Sequence, residues 1–282
     1  MQRMRIYITG NKGQLGRSLE SALADHALHG GDLPEVDVTD LASIRPSIRD
    51  ARPDVVIHSA AMTDVDGCAR DPDLAYRVNA LGTRNVAIAC QDAGCAMLAV
   101  STNEVFDGKT GRPYLEFDPT NPINPYAKSK LAAEVFVRDL LTRFYIVRTA
   151  WLFGYGGDNF VAKIVRRAKQ DGRLRVVADE ISSPTFAPDL AGAVARLIAT
   201  GAYGIYHFTN EGICSRFEFA QKILELAGLA HIPIEPITLA DTTRPSTPPP
   251  YTPIRNFCGA QIGITLRPWQ DALAEYVAHE RF

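Results

Sequence analysis

No stretch of the 282 residues stays apolar long enough to span a bilayer, so a membrane-spanning helix is not expected. The opening "MQRMRIYITG" enters a strand candidate directly, without the long apolar stretch and small-residue cleavage site of a signal peptide. Cysteine is sparse. Cys68, Cys90, Cys95, Cys214 and Cys258 are odd in number and form no C-x-x-C, which indicates neither a disulfide framework nor a zinc site. The six histidines are scattered without ligand spacing, so no residue is assigned to a metal. Thirty Lys plus Arg against thirty-two Asp plus Glu leave a net charge of −2 and no basic stripe, so nucleic acid is not an expected partner. No internal repeat is visible. A reduced, cytoplasmic protein is the default these absences leave. The 46% of hydrophobic residues is enough to build one large domain or two unequal ones.

Apolar runs and helical patterns alternate along the chain. "MRIYIT" (4–9) reads as a strand, followed by a glycine turn and "QLGRSLESALADHAL", where Leu15, Leu19 and Leu23 recur at helical spacing. "DVVIHSA" (54–60) is a continuous apolar strand of the kind buried in a parallel sheet. Asp71-Pro72 predicts a helix start and Gly94 its end, with Leu74, Val78, Leu81, Asn85 and Ile88 along one side. "AMLAVST" (96–102) and "FYIVRTAWLF" (144–153) are further strands, separated by a helix beginning at "NPYAKSK". Helix, strand, helix and strand follow over "NFVAKIVRRAKQDG", "LRVVAD", "APDLAGAVARLIAT" (187–200) and "GIYHFT" (204–209). Beyond 210, "SRFEFAQKILELAGL" and "LRPWQDALAEYVAHERF" predict two more helices, flanking a proline-rich segment (243–256) that is expected to be an ordered loop over a pocket. This rhythm predicts an α/β protein with helices on both faces of a parallel sheet. The expected division gives 1–151 plus 182–209 to a dinucleotide unit and 152–181 plus 210–282 to a smaller substrate unit.

Gly10, Gly13 and Gly16 form G-x-x-G-x-x-G directly after a strand and at the start of a helix. Such glycines permit a tight turn and close backbone approach, and the helix N-terminus offers free N–H groups to a pyrophosphate. Gln14 and Leu15 fall within this turn and are grouped with it. Asp32, about twenty residues on, suits the adenosine ribose of NAD, whereas Lys12 and His29 suit the extra phosphate of NADP; both coenzymes stay open. Asp37 and Val38 are placed at the adenine edge.

Tyr126 and Lys130 stand four apart and share one helix face, while Lys128 points away. An ammonium beside a phenol lowers the phenol's pKa and suits it to proton transfer. The plain alternative is a helix start on a wet surface, with Pro125 in its first turn.

With the glycine turn, "HSAAMTDVD", "STNEVFDG", "PYAKSKLAAE" and "RTAWLFG" in order, the chain resembles the extended short-chain dehydrogenase/reductase superfamily. Within it the chain is similar to the dTDP-4-dehydrorhamnose reductase family over nearly its whole length, "SPT" at 183–185 included. The resemblance implies a Rossmann-type doubly wound sheet with a smaller C-terminal α/β domain. It also implies hydride transfer from NADPH or NADH to the C4 ketone of a dTDP-linked 4-keto-6-deoxy sugar, in dTDP-L-rhamnose biosynthesis. Tyr126 would protonate the alkoxide, Lys130 would hold the nicotinamide ribose and depress the tyrosine pKa, and Thr102 would hydrogen-bond the carbonyl oxygen. Ala60, Ala61 and Thr63 would line the coenzyme. Trp151 and Asn159 fall on the substrate side, although a core role for Trp151 is equally consistent with its position. Arg244, Arg255 and Lys163 are candidate cations for the diphosphate.

The chain departs from the family's usual Ser-Thr-Asp-Tyr-Val-Phe at Asn103 and Glu104. Both are expected to bear on substrate, as is "DEISSPT", where the family favours a glutamine and a glycine. The resemblance also implies a homodimer and, in some members, Mg²⁺. Two further readings remain. One is a nucleotide-sugar epimerase, which the modest region after 210 disfavours. The other is a non-catalytic NADP-binding subunit resembling the regulatory subunit of methionine adenosyltransferase.

Overall fold

The computed structural model describes residues 3–280 and 282. Strand β1 (Arg5–Thr9), helix α1 (Gln14–Ala22), β2 (Ala27–Gly31), α2 (Leu41–Ala51) and β3 (Val55–His58) come first. Helices α3 (Val65–Arg70), α4 (Pro72–Ala75) and α5 (Gly82–Ala93) precede β4 (Ala96–Thr102), and α6 (Pro125–Leu140) precedes β5 (Phe144–Thr149). Next are β6 (Leu152–Phe153), α7 (Phe160–Asp171), β7 (Leu174–Val177), β8 (Ile181–Ser182), β9 (Thr185–Phe186), α8 (Ala187–Ile198) and β10 (Gly204–His207). The chain closes with β11 (Cys214–Ser215), α9 (Arg216–Leu226), β12 (Ile234–Ile237), α10 (Cys258–Gln261) and α11 (Trp269–Glu280). No helix among the described residues is long and apolar enough to cross a membrane.

Six strands make one parallel sheet in the order β10-β5-β4-β3-β1-β2. Side chains alternate across it as strand geometry requires. Ile6, Ile8, Val55, Ile57, Leu98 and Val147 pack with Leu15 and Leu19 of α1 and with α8 on one face. Tyr7, Val56, Met97, Ala99 and Ile146 pack with α2, α5 and α6 on the other. The fold is therefore doubly wound. Strand order reverses between β1 and β3, so a crevice opens there at the carboxyl edge, where such sheets bind ligands.

A second apolar core joins Phe153, Val161, Val165 and Phe186 to Phe219, Ile223, Trp269, Leu273 and Tyr276. It packs around the two-stranded pairs β6–β9, β7–β12 and β8–β11. Ile264, with Cys258 and Leu266 against it, returns to the core of the large sheet. The proline-rich segment is ordered. Pro250 and Thr252 exchange backbone hydrogen bonds with Ile181, and Pro253 and Arg255 do so with Tyr114.

Three sequence expectations are corrected. Ala27 and Leu28 belong to β2, since α1 ends at Ala22. The helix predicted from Pro72 to Gly94 has the expected ends, with Asp71 capping Leu74 N at 2.9 Å and Gly94 at φ +63. Its middle, Tyr76–Leu81, is π-helical. That insertion turns the helix, so Leu81 is exposed while Ala75, Asn79, Ala80, Thr83, Val86 and Ala87 are buried. The strand predicted over 144–153 breaks at Ala150 and Trp151, where Trp151 takes φ +43.

Candidate active site

A cleft of about 490 Å³ runs along the carboxyl edge of the large sheet, between the glycine turn and the residues after β5. Of the residues singled out from sequence, Gly10, Gly13, Gln14, Leu15, Gly16, Ala61, Thr63, Thr102, Asn103, Glu104, Tyr126, Lys130, Trp151 and Asn159 line it. Lys12, Asp37, Val38, Ala60, Arg244 and Arg255 are not in its wall.

The glycine turn has steric reasons for its composition. Gly10 sits at φ +69, and a Cβ there would meet the Ala60 backbone at 2.8 Å. Ala60 thus backs the turn that Ala61 and Thr63 flank. A Cβ on Gly16 would fall 2.2 Å from the Gly10 carbonyl oxygen, so only glycine lets α1 start this close to β1. Gly13 caps α1 with no side-chain hydrogen bond, which leaves the first N–H groups of the helix to a ligand. This bare, positively polarised terminus fits a pyrophosphate. Asp32 follows β2 and accepts from the Lys12 backbone N–H at 3.1 Å, which puts a carboxylate beside the turn. The Lys12 ammonium reaches Glu35 at 2.7 Å on the exposed rim. Asp37 accepts from Thr39, and Val38 is buried, its carbonyl held by Asn85 at 3.0 Å.

Thr102 ends β4, and Tyr126 and Lys130 rise from the first turns of α6, whose N-cap Asn124 accepts from Ala127 N at 2.9 Å. Lys130 is buried, and its ammonium donates to the Val100 carbonyl at 2.7 Å. Burial lowers its pKa to about 8, while the Glu134 carboxylate one turn on pulls it upward. The Tyr126 phenol is pushed well above its ordinary value, chiefly by burial and then by the Glu104 carboxylate; the Thr102 hydroxyl pulls it back. Here the expectation of a phenol depressed by Lys130 is corrected: desolvation dominates, and the ammonium is engaged by Val100. A phenol kept protonated is a proton donor.

On the substrate side, Trp151 lies in the cleft wall with the Arg216 guanidinium 3.6 Å above its ring. Its positive φ is unusual for a bulky residue and turns the indole out of the strand. Asn103 is buried and donates to Ser182 Oγ at 3.0 Å and Thr252 Oγ1 at 2.7 Å, tying the end of β4 to the proline-rich segment. Glu104 accepts from Asn124 at 2.7 Å. The Asn159 amide is consumed internally: it caps α7 and donates to Gly154 O, Tyr276 Oη and Gln14 Oε1. Arg244 pairs with Asp66 at 3.0 Å and Lys163 with Asp158 at 3.4 Å. Arg255 lines a separate cavity of about 280 Å³ with Ser183, Asn210 and Asn256.

Two features escaped the sequence reading. Arg216 is a cation in the cleft wall, held by Glu180 at 3.1 Å. Beneath Lys130, Glu134 and Arg148 form a buried ion pair at 2.7 Å, with Ser101 also donating to Glu134. An arginine inside the apolar run "FYIVRTAWLF" was the available signal. Among the described residues, no three His, Cys, Asp or Glu side chains gather as a metal site would require.

The family model described as "RmlD substrate binding domain" matches residues 4–282. A spore coat polysaccharide biosynthesis protein, SpsK, of Bacillus subtilis is 37% identical over 97% of this chain and 96% of its own length. A dTDP-4-dehydrorhamnose reductase of Mycobacterium tuberculosis is 40% identical over 97% of this chain and 92% of its own. The crystal structure of dTDP-4-dehydrorhamnose reductase from Bacillus anthracis in complex with NADP superposes with a TM-score of 0.95 at 37% identity, covering 99% of this chain and 100% of that one. With its doubly wound sheet, its bare glycine turn and its Thr102, Tyr126 and Lys130 in one cleft, the chain belongs to the RmlD substrate-binding-domain family.

Proposed function

We propose that the protein is an NAD(P)H-dependent oxidoreductase that reduces the C4 ketone of dTDP-4-dehydrorhamnose, a dTDP-linked 4-keto-6-deoxy sugar, in dTDP-L-rhamnose formation. One observation carries the reading: Thr102, Tyr126 and Lys130 line the same cleft as Gly10, Gly13 and Gly16. The sheet unit, 1–151 plus 182–209, holds the dinucleotide, and 152–181 plus 210–282 closes on the sugar nucleotide. The reading places the protein in the cytoplasm, and a homodimer enters by resemblance alone.

A bound nicotinamide coenzyme supplies the hydride. The free N–H groups of α1 would hold its pyrophosphate, and Lys130, in the wall of the same cleft, would hold its nicotinamide ribose. Thr102, whose hydroxyl otherwise donates to Asn103 at 3.2 Å, turns to the ketone oxygen. Tyr126 gives its phenolic proton to that oxygen as the alkoxide forms. Trp151 covers the sugar, and Arg216 supplies a cation beside it in the cleft wall, with Arg244 outside that wall but close enough to Glu104 to act on its charge. Asp32 favours an unsubstituted adenosine ribose, whereas Lys12 and His29 favour a phosphorylated one.

The test is oxidation of NADPH and of NADH with dTDP-4-dehydrorhamnose, with Tyr126→Phe as control. We expect turnover by the wild type and a loss of about 10²–10⁴-fold in the variant. Stoichiometric bound NAD without turnover of added coenzyme would point to an epimerase. Intact coenzyme binding with no ketoreduction, and co-purification with a synthetase, would point to the regulatory-subunit reading.

A further inference from the structure

We propose that Glu104 selects sugars bearing a hydrogen-bond donor, a hydroxyl or an amino group, on the carbon next to the ketone. The inference rests on the ketoreductase reading and narrows its substrate class.

Glu104 stands two residues after Thr102, and its backbone N–H donates to the Thr102 hydroxyl at 3.2 Å. The side chain is therefore anchored to a group that addresses the ketone oxygen. It also lies near enough to Tyr126 for its charge to help raise that phenol's pKa, second to burial. Thr102 and Tyr126 converge on one oxygen of the substrate, so a carboxylate adjoining both faces the neighbouring ring position.

Its partners are incomplete. Oε2 accepts from Asn124 Nδ2 at 2.7 Å, and Asn124 is itself fixed as the cap of α6. Among the described residues Glu104 makes no ion pair, although two guanidiniums are close enough to feel it. Each is committed elsewhere: Arg216 to Glu180 at 3.1 Å and Arg244 to Asp66 at 3.0 Å. Burial pushes the Glu104 carboxyl up, against the pull of the Asn124 hydrogen bond. A carboxylate is acceptor-only, and one that lines the cleft with a single side-chain donor, Asn124, keeps acceptor capacity for a donor from the ligand. A site built to accept from a substrate hydroxyl discriminates strongly against the analogue lacking it, because its own polar group is then left bare.

The experiment compares kcat/KM for a dTDP-linked 4-keto-6-deoxyhexose and for its 3-deoxy counterpart, in wild type, Glu104→Leu and Glu104→Gln. The wild type should prefer the hydroxylated sugar by roughly 10–100-fold, the range of one charge-assisted hydrogen bond. Glu104→Leu should reduce that preference to about threefold or less, and Glu104→Gln, nearly isosteric and the safeguard against misfolding, should give an intermediate ratio. A preference unchanged in both variants would overturn the inference alone. Failure of the wild type to reduce either sugar, with coenzyme binding intact, would overturn the ketoreductase reading and the inference with it.

Discussion

Glu134→Gln removes a negative charge from a place with almost no water to replace it. Glu134 and Arg148 are 2% and 4% exposed at the side chain, and two hydrogen bonds of 2.7 and 2.9 Å join them. The substitution keeps the shape, so no cavity forms and the effect is electrostatic. An arginine left in the interior without its carboxylate costs about 3–5 kcal/mol. An unfolding entropy of about 2.1 cal/mol/K per residue turns this into a fall in Tm of roughly 5–8 °C. Calorimetry and urea melts on the variant measure both. The double variant Glu134→Leu with Arg148→Met, which removes both charges, should recover most of the loss. A second readout reaches the cleft. Glu134 opposes the burial that lowers Lys130 to about 8, so without it the lysine loses its proton at lower pH. The alkaline limb of kcat/KM should shift downward in Glu134→Gln. A stability loss under about 1 kcal/mol would mean that water reaches Arg148 after all, and an unmoved alkaline limb would refute the electrostatic link to Lys130.

Acid should destabilise the fold before the carboxylates titrate. His58 and His207 are buried, with pKa values lowered to about 3, mainly by desolvation. The unfolded chain binds their protons near pH 6.5, so their contribution is complete above that pH and is lost on acidification. Together they should cost about 3 kcal/mol between pH 6.5 and 5, and urea midpoints that stay flat over this range would contradict the shifts. Gly10→Ala forces a Cβ to within 2.8 Å of Ala60 in a left-handed backbone. Coenzyme affinity, read by fluorescence titration, should fall at least about tenfold, and an unchanged Kd would detach the turn from coenzyme binding. Arg216→Ala should raise the sugar-nucleotide KM by about 10–100-fold, whereas Arg255→Ala should leave it within about twofold. Reversal of that order in steady-state kinetics would move the diphosphate to the second cavity.

Legibility followed sequence distance. Gly10, Gly13 and Gly16 are neighbours whose spacing already implies a turn against a helix, and Tyr126 and Lys130 are one helical turn apart. Asn124 and Pro125 announce that helix locally through cap and first-turn chemistry. Other features depend on register between distant segments, which composition does not encode. Asn103 meets Thr252 across 149 positions, and Arg216 reaches Trp151 only through the packing of α9. Leu81 leaves the expected buried side for a different reason: the six-residue π-helical segment ahead of α5 upsets the period of 3.6 that the apolar spacing implies. Trp151 broke its strand because a residue turned into a cleft follows the site rather than propensity.

The smaller core has no continuous stretch of chain to itself. Its buried side chains come from 153–186, from 214–224 and from Trp269 onward. During synthesis the large sheet gains its last strand once His207 has emerged, but the smaller core waits for Trp269, Leu273 and Tyr276. The cleft has one wall from each. A nascent chain can therefore present a nearly finished coenzyme turn while the wall opposite is still being made, and the cleft takes its final form only with the last helix.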